Sequence, residues 1–270
     1  MPELPEVETI KNELLNWVVG QSFIQADILD NKLVHDNSVE EFCNRLIGQK
    51  IETLERRGKY LFFYLSNGQS LIMHLRMTGA LLLNPGEIDR YARAVFHLSN
   101  GTQLVFSDRR RLGIVWLDNA QSVIDKLGPE PLDERFTPAV LEQALARHQI
   151  PIKAALLDQS IVAGIGNMYA DETLFAAVIH PLRTTDTLSD KEIGTLCQAI
   201  KKVLNTAIDS KGASVDTYIR PDGQQGTAQS GFKVAHRKGE SCLTCGTSIE
   251  RITVRNRGTY FCPRCQPETT

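Results

Sequence analysis

The sequence predicts an α+β protein of several domains: an N-terminal antiparallel β-sandwich entered by one helix, a helical domain, and a small C-terminal hairpin framed by four cysteines. Three observations carry this. Between about residues 22 and 117, short β-type runs alternate with turn signals. From about residue 138 the apolar period lengthens to that of helices. The last four cysteines, Cys242, Cys245, Cys262 and Cys265, fall as C-x2-C-x16-C-x2-C.

Element by element, residues 5–19 read as a helix, because Val7, Ile10, Leu14, Leu15 and Val18 recur at helical spacing and Gly20 follows where a C-cap belongs. The runs 60–65, 70–75, 80–83, 94–98, 103–106 and 114–117 read as strands, with turns at Ser66-Asn67-Gly68 and Ser99-Asn100-Gly101. Many short strands with regular turns suit an antiparallel sandwich or barrel. Gly128-Pro129-Glu130-Pro131-Leu132 reads as a linker. Residues 138–148, 151–158, 168–177 and 189–209 read as helices, and 214–235, rich in Gly, Gln and Ser, as a loop. The expected domains are therefore 1–128, 129–235 and 236–270. The isolated Cys43 and Cys197 sit in apolar patterns and read as core residues.

Composition narrows the class. The 270 residues are 42% hydrophobic and 23% charged, which excludes a disordered or fibrous chain. No apolar run reaches the roughly 18 residues of a membrane span. The start, MPELPEVETI, is acidic and lacks the basic flank and apolar stretch of a secretory signal, so a cytoplasmic protein is expected. The net charge of −2 does not suggest nucleic acid, but a sum hides clustering. Acids gather at Glu3, Glu6, Glu8 and Glu13; bases gather at Arg56, Arg57 and Lys59, at Arg109 to Arg111, and at Arg237, Lys238, Arg251, Arg255, Arg257 and Arg264. Any one of these clusters could equally be a solvated face.

Three motifs carry chemistry. The two C-x2-C knuckles suit one structural zinc ion held by four thiolates; two disulfides are the alternative, disfavoured in a reducing compartment. Residues 253–260 would form the hairpin between the knuckles, with Asn256-Arg257-Gly258 at its turn, a rigid tip able to hold an arginine against a phosphate. The second motif, AGIGNMYADE (163–172), joins two helices through glycine turns, and the N-terminus of the second helix, with Asn167, suits a phosphate; a simple packing turn is an equal alternative. The third is PELPE. Once Met1 is removed, Pro2 presents a secondary amine, and an α-amino pKa near ~8 leaves part of it neutral and able to attack an aldehyde-like carbon. Glu3 and Glu6 could serve as acid, base or anchor. On these five residues alone, an ordinary helix lead-in is the simpler reading.

Nearly end to end, the chain resembles the bacterial formamidopyrimidine-DNA glycosylases, enzymes of base-excision repair. The resemblance rests on MPELPEVET, RRGKYL (56–61), HLRMTG (74–79), DRRRLG (108–113), GPEPL (128–132), LLDQSIVAGIGNMYADETLF (156–175) and RGTYFCPRCQ (257–266). It implies a bifunctional glycosylase and abasic-site lyase acting as a monomer on oxidised purines in damaged duplex DNA. Pro2 matches the Schiff-base nucleophile at C1′ and Glu3 the general acid at the sugar ring oxygen. Lys59 and Arg257 match the residues that contact phosphate and assist β- and δ-elimination. Asn167 matches the phosphate-binding asparagine, and Lys153 a lysine near the lesion's phosphates. Met77, Arg110 and Leu112 match the residues that fill the gap left by the flipped base. Glu6 and Tyr91 complete the expected DNA-binding set.

The match has departures: Leu112 replaces a usual phenylalanine, Tyr91 and Arg93 a common His-x-His pair, and Ala235 a usual tyrosine after an atypical loop. None removes a catalytic group, but they leave lesion preference open. A preference for oxidised pyrimidines, or a non-catalytic damage-binding role, are the alternatives; a pure binder has no need of Pro2, Glu3 and Lys59 together.

Overall fold

The computed structural model describes residues 1–36 and 38–268, which form two compact units: residues 1–36 and 38–126 with 210–229, and 127–209 with 230–268.

The first unit opens with α1 (Leu4–Val18) and contains β1 (Phe23–Ile28), α2 (Val39–Leu46), β2 (Ile51–Arg57), β3 (Tyr60–Leu65), β4 (Ser70–His74), β5 (Gly79–Leu83), β6 (Ala92–Leu98), β7 (Gln103–Asp108), β8 (Ile114–Asp118) and the short α3 (Gln121–Ile124). The strands make two antiparallel four-stranded sheets, ordered β1-β6-β7-β5 and β2-β3-β4-β8. The period of two decides the faces. Leu61, Phe63 and Leu65 of β3 enter the core between the sheets with Leu71 and Met73 of β4 and Leu104 and Phe106 of β7. Tyr60, Phe62 and Tyr64 turn the other way, toward Trp116, Val123 and Ile124. Val7, Ile10, Leu14 and Val18 of α1 join the same core. The expected sandwich with a leading helix is what folds, β1, β2 and α2 being additions to the runs read from the sequence.

Two expectations are corrected. The segment 210–229, expected within the helical domain, packs on α1 and the sheet instead. Backbone bonds hold it: Ala213 N–H donates to Glu6 Oε1 at 2.8 Å and Leu83 N–H to the Pro221 carbonyl at 2.8 Å. Arg220 pairs with Glu13 at 2.7 Å, and Tyr218 sinks into the core. Gly226 lies so close to the 211–212 carbonyls that a Cβ there would sit 2.2 Å from the Gly212 oxygen. The 128–132 stretch is likewise no free linker. Gly128 N–H donates to the Gln159 carbonyl at 2.8 Å, and a Cβ on it would meet the Ile161 carbonyl at 2.6 Å.

The second unit contains α4 (Pro138–Leu145), α5 (Ile152–Leu157), α6 (Asn167–Ala176), α7 (Asp190–Asp209) and a hairpin of β9 (Glu250–Val254) and β10 (Arg257–Phe261). The hairpin is packed within this unit and does not stand apart, because α6 carries its attachments. The Glu172 carboxylate accepts from the amides of Lys233, Val234 and Ala235 at 2.8–3.0 Å, and Phe175 packs against the cluster of Val234, Cys242, Ile249 and Cys262. No helix among the described residues is long and apolar enough to cross a membrane.

Candidate nucleic-acid interface and zinc centre

In the first unit, Pro2 is buried and leads straight into α1, with Glu3 as its N-cap residue, 2% exposed. Glu3 N–H donates to Glu6 Oε2 at 2.8 Å. Glu6 thus spends one oxygen on the head of α1 and the other on Ala213, and is fully buried. Within this unit the Glu6 carboxylate positions the chain around Glu3.

Lys59, 6% exposed, lies in the two-residue turn Gly58-Lys59 between β2 and β3. This turn is tied to α1. Arg56 donates from Nε to Glu8 Oε2 at 2.6 Å and from Nη1 to the Gly58 carbonyl at 3.1 Å. Burial pushes the Glu8 carboxyl up, but Arg56 and Lys11 outweigh it and hold the group below its ordinary range. The same bracket therefore fixes the head of α1 and the turn that bears Lys59.

His74, which the sequence reading passed over inside HLRMTG, is buried at the end of β4, its ring edge-on to Tyr60 with centroids 4.5 Å apart. Its Nδ1 accepts from Arg76 N–H at 2.9 Å, leaving Nε2 to carry the proton. Burial, then the charges of Arg76 and Lys59, lower its pKa to about 3, so the ring is neutral at physiological pH.

The turn holding half-buried Met77 meets the loop holding exposed Arg110 and Leu112, Arg110 N–H donating to Thr78 Oγ1 at 3.1 Å. Tyr91 is half-buried; its hydroxyl accepts from Arg90 at 2.7 Å and its ring lies 4.8 Å beneath that guanidinium. Arg93 turns inward and donates to the Asp108 carbonyl at 2.9 Å.

In the second unit, Asn167 is the first residue of α6 and its Nδ2 donates to the Gly258 carbonyl of β10 at 2.9 Å. Lys153 is fully buried, donating to the Asn167 carbonyl at 2.9 Å and to Asp171 Oδ1. Its ammonium, with no exposed surface, holds the head of α6. Burial raises the Asp171 carboxyl to about 7 despite Lys153. The hairpin turn is also one step off expectation. Val254 pairs with Arg257, so the two turn residues are Arg255 and Asn256, both at positive φ (44° and 63°). Such a turn matches the twist of a hairpin. Arg257 is the exposed first residue of β10.

The four finger cysteines lie with every Sγ within 4.8 Å of the others. Two separations, Cys242–Cys265 at 3.9 Å and Cys245–Cys262 at 3.4 Å, bracket the edge of about 3.8 Å of a tetrahedron with Zn–S bonds of about 2.3 Å. They are far longer than a disulfide, about 2.05 Å. The donor set fits one zinc ion with no open position. Gln266, also missed from sequence, is fully buried behind it, accepting from Cys262 N–H at 3.0 Å and donating to the Ile179 carbonyl at 2.9 Å.

Residues 1–115 match the formamidopyrimidine-DNA glycosylase N-terminal domain, 127–218 the H2TH domain of the same family, and 239–267 the zinc finger found in FPG and IleRS. The chain is 40% identical to the formamidopyrimidine-DNA glycosylase of Listeria innocua over 98% of its length and 100% of that protein. It is 42% identical to that of Herpetosiphon aurantiacus over the same shares. Among solved structures, Lactococcus lactis Fpg bound to abasic-site DNA superposes with a TM-score of 0.91 at 36% identity, covering 98% of this chain and 100% of that one. The same enzyme with Fapy-dG DNA gives 0.90 at 35% identity over the same shares.

Proposed function

The chain belongs to the formamidopyrimidine-DNA glycosylase family, and from that premise we propose that it excises oxidised purines, 8-oxoguanine and formamidopyrimidines, from duplex DNA and then cleaves the abasic site. The observation that carries the reading is the bracket around α1: an N-terminal proline, a buried glutamate one residue on, and a lysine whose turn is tied to the same helix through Glu8 and Arg56.

A base inside the duplex is out of reach, so the nucleotide is extruded at a cost of a few kcal/mol, about what unstacking and unpairing require. Met77, Arg110 and Leu112 fill the space it leaves. The secondary amine of Pro2 attacks C1′ and the base departs. Glu3 protonates the ring oxygen as the sugar opens, and the nitrogen lone pair forms the iminium. Loss of the C2′ proton then expels the 3′ phosphate, and a second elimination expels the 5′ phosphate. Lys59 and Arg257 neutralise those phosphates, and Asn167 holds the backbone at the head of α6. Cys242, Cys245, Cys262 and Cys265 hold the zinc ion, which supplies no chemistry beyond stapling the hairpin. The protein works as a monomer in the cytoplasm.

The test is borohydride trapping. Mature protein beginning at Pro2, incubated with abasic-site duplex, should form a covalent band; a nicking assay across a lesion panel should favour oxidised purines. No band would remove the enzymatic reading, and faster cleavage at oxidised pyrimidines would replace its substrate class.

A further inference from the structure

The three gap-filling residues come from two separate loops, and one carboxylate joins them. Asp108, at the end of β7 and 1% exposed, accepts at Oδ1 from the Thr78 hydroxyl and from Arg110 N–H (3.1 Å). At Oδ2 it accepts from Leu112 N–H and Gly113 N–H, both at 2.7 Å. Thr78, the neighbour of Met77, also accepts from Arg110 N–H. Below the loop, Arg93 donates to the Asp108 carbonyl, and Arg111, at φ 58°, folds back onto Asp30 with Nη2 to Oδ1 at 2.7 Å. A Cβ on Gly113 would stand 2.5 Å from the Phe106 ring, which closes the loop against the sheet.

We propose that Asp108, through Thr78, is the positioning residue that sets Met77, Arg110 and Leu112 in one fixed arrangement before DNA arrives. This rests on the gap-filling reading above. A wedge entering a base stack must be ordered at that moment, and a loop already ordered by folding loses less entropy on insertion. Asp108 supplies that order, because one buried carboxylate takes four donors drawn from both loops. Arg93 adds a fifth hold on the same residue. Of the arginine run, Arg111 is committed to Asp30, while the Arg109 and Arg110 residues are exposed.

Thr78→Val removes the hydroxyl at nearly constant shape, and Thr78→Ser restores it. Single-turnover excision from an 8-oxoguanine duplex should slow about tenfold in Thr78→Val, which loses the bond to Asp108 and the one accepted from Arg110 N–H while that amide keeps Asp108, and recover in Thr78→Ser. The fluorescence rise of 2-aminopurine placed opposite the lesion, which reports insertion, should slow in proportion. Cleavage of an abasic site in single-stranded DNA, where no stack is opened, should stay within about twofold. Asp108→Asn should slow duplex excision further. Unchanged 2-aminopurine kinetics in Thr78→Val, or an equal loss on single-stranded DNA, would overturn the proposal. Met77→Ala and Arg110→Ala separate the two levels. If both slow duplex excision and Thr78→Val does not, the positioning role alone falls; if neither does, the gap-filling reading falls and takes it along.

Discussion

Two helices in this molecule carry the proposed site residues at their N-termini, and they are built oppositely. The head of α1 is acidic: Glu3 caps it and Glu6 stands in its first turn, both buried. The head of α6 has glycine as its cap residue, no acid in its first turn, and an asparagine as its first residue. A helix N-terminus carries a partial positive charge that carboxylates neutralise and phosphates seek. The α1 end is thereby closed to a phosphate and suited to proton transfer, whereas the α6 end stays suited to an anion. The supports differ in the same sense. A salt bracket and an apolar core hold α1; a buried ion pair, Lys153–Asp171, and a cysteine-framed hairpin hold α6.

The strongest way to break this contrast is to block the reacting end alone. With any residue left before Pro2, its nitrogen is a tertiary amide whose lone pair is delocalised into the carbonyl. Excision and borohydride trapping should fall by about a thousandfold or more, the scale of losing a nucleophile. Affinity for abasic-site DNA, measured by fluorescence anisotropy, should remain nearly intact. A normal trapping rate would move the nucleophile to an amine such as Lys59.

The converse experiment breaks the gripping end. Cys262→Ser removes one of four ligands and should release the metal and unfold the hairpin. DNA affinity should drop about a hundredfold, two charge-assisted phosphate contacts at roughly 1.5 kcal/mol each. Both tryptophans, Trp17 and Trp116, lie in the first unit, so their fluorescence should report an unchanged sandwich. Full DNA affinity in a metal-free sample would show that the hairpin is not part of the grip.

Buried titratable groups sharpen the contrast, because they answer acid with opposite sign. In the second unit, Asp171 and Glu172 are raised by burial, so their preference for the protonated form costs stability as pH rises. In the first unit, His74 is lowered to about 3 from 6.5. A base with a lowered pKa contributes its full stability above pH 6.5 and loses it as pH falls toward 3, the unfolded chain taking up the proton first. Between pH 7 and pH 5 that loss is about 2 kcal/mol. Urea unfolding followed by tryptophan fluorescence should show it, and His74→Asn should flatten the dependence. An identical slope in the variant would mean that His74 is solvated.

These differences show what was legible in the sequence. Whatever repeats locally was legible: the short β-type runs such as 60–65 with their turns, the spacing of Val7, Ile10 and Leu14, the cysteine knuckles. What depends on distant partners was not. Nothing near Glu6 announces Ala213, nothing near Glu172 announces the amides of 233–235, and nothing near Asp30 announces Arg111. The 210–229 segment shows no period because scattered hydrogen bonds, the Arg220–Glu13 pair and a single tyrosine attach it, and none of these repeats. Resemblance pointed to Lys153 and Glu6 as residues that matter; only the fold shows that both are fully buried and that each holds a helix head.

The smallest expected effect concerns Leu112, the departure that bears on the stack itself. Its side chain is 41% exposed, while its amide is held by Asp108 at 2.7 Å. The loop therefore fixes where residue 112 sits without limiting what it carries, and a larger side chain meets solvent before it meets the core. Leucine can wedge between bases but cannot stack on them; a phenylalanine ring can do both. Leu112→Phe should tighten binding to an 8-oxoguanine duplex by up to about 1 kcal/mol, the extra stabilisation typical of an aromatic pair. The alternative outcome is a changed preference for the base opposite the lesion, because a ring reads its stacking partner more selectively than an aliphatic chain. Anisotropy titrations against the four opposite bases separate the two. If neither affinity nor preference moves, residue 112 does not enter the stack, and Met77 and Arg110 fill the gap by themselves.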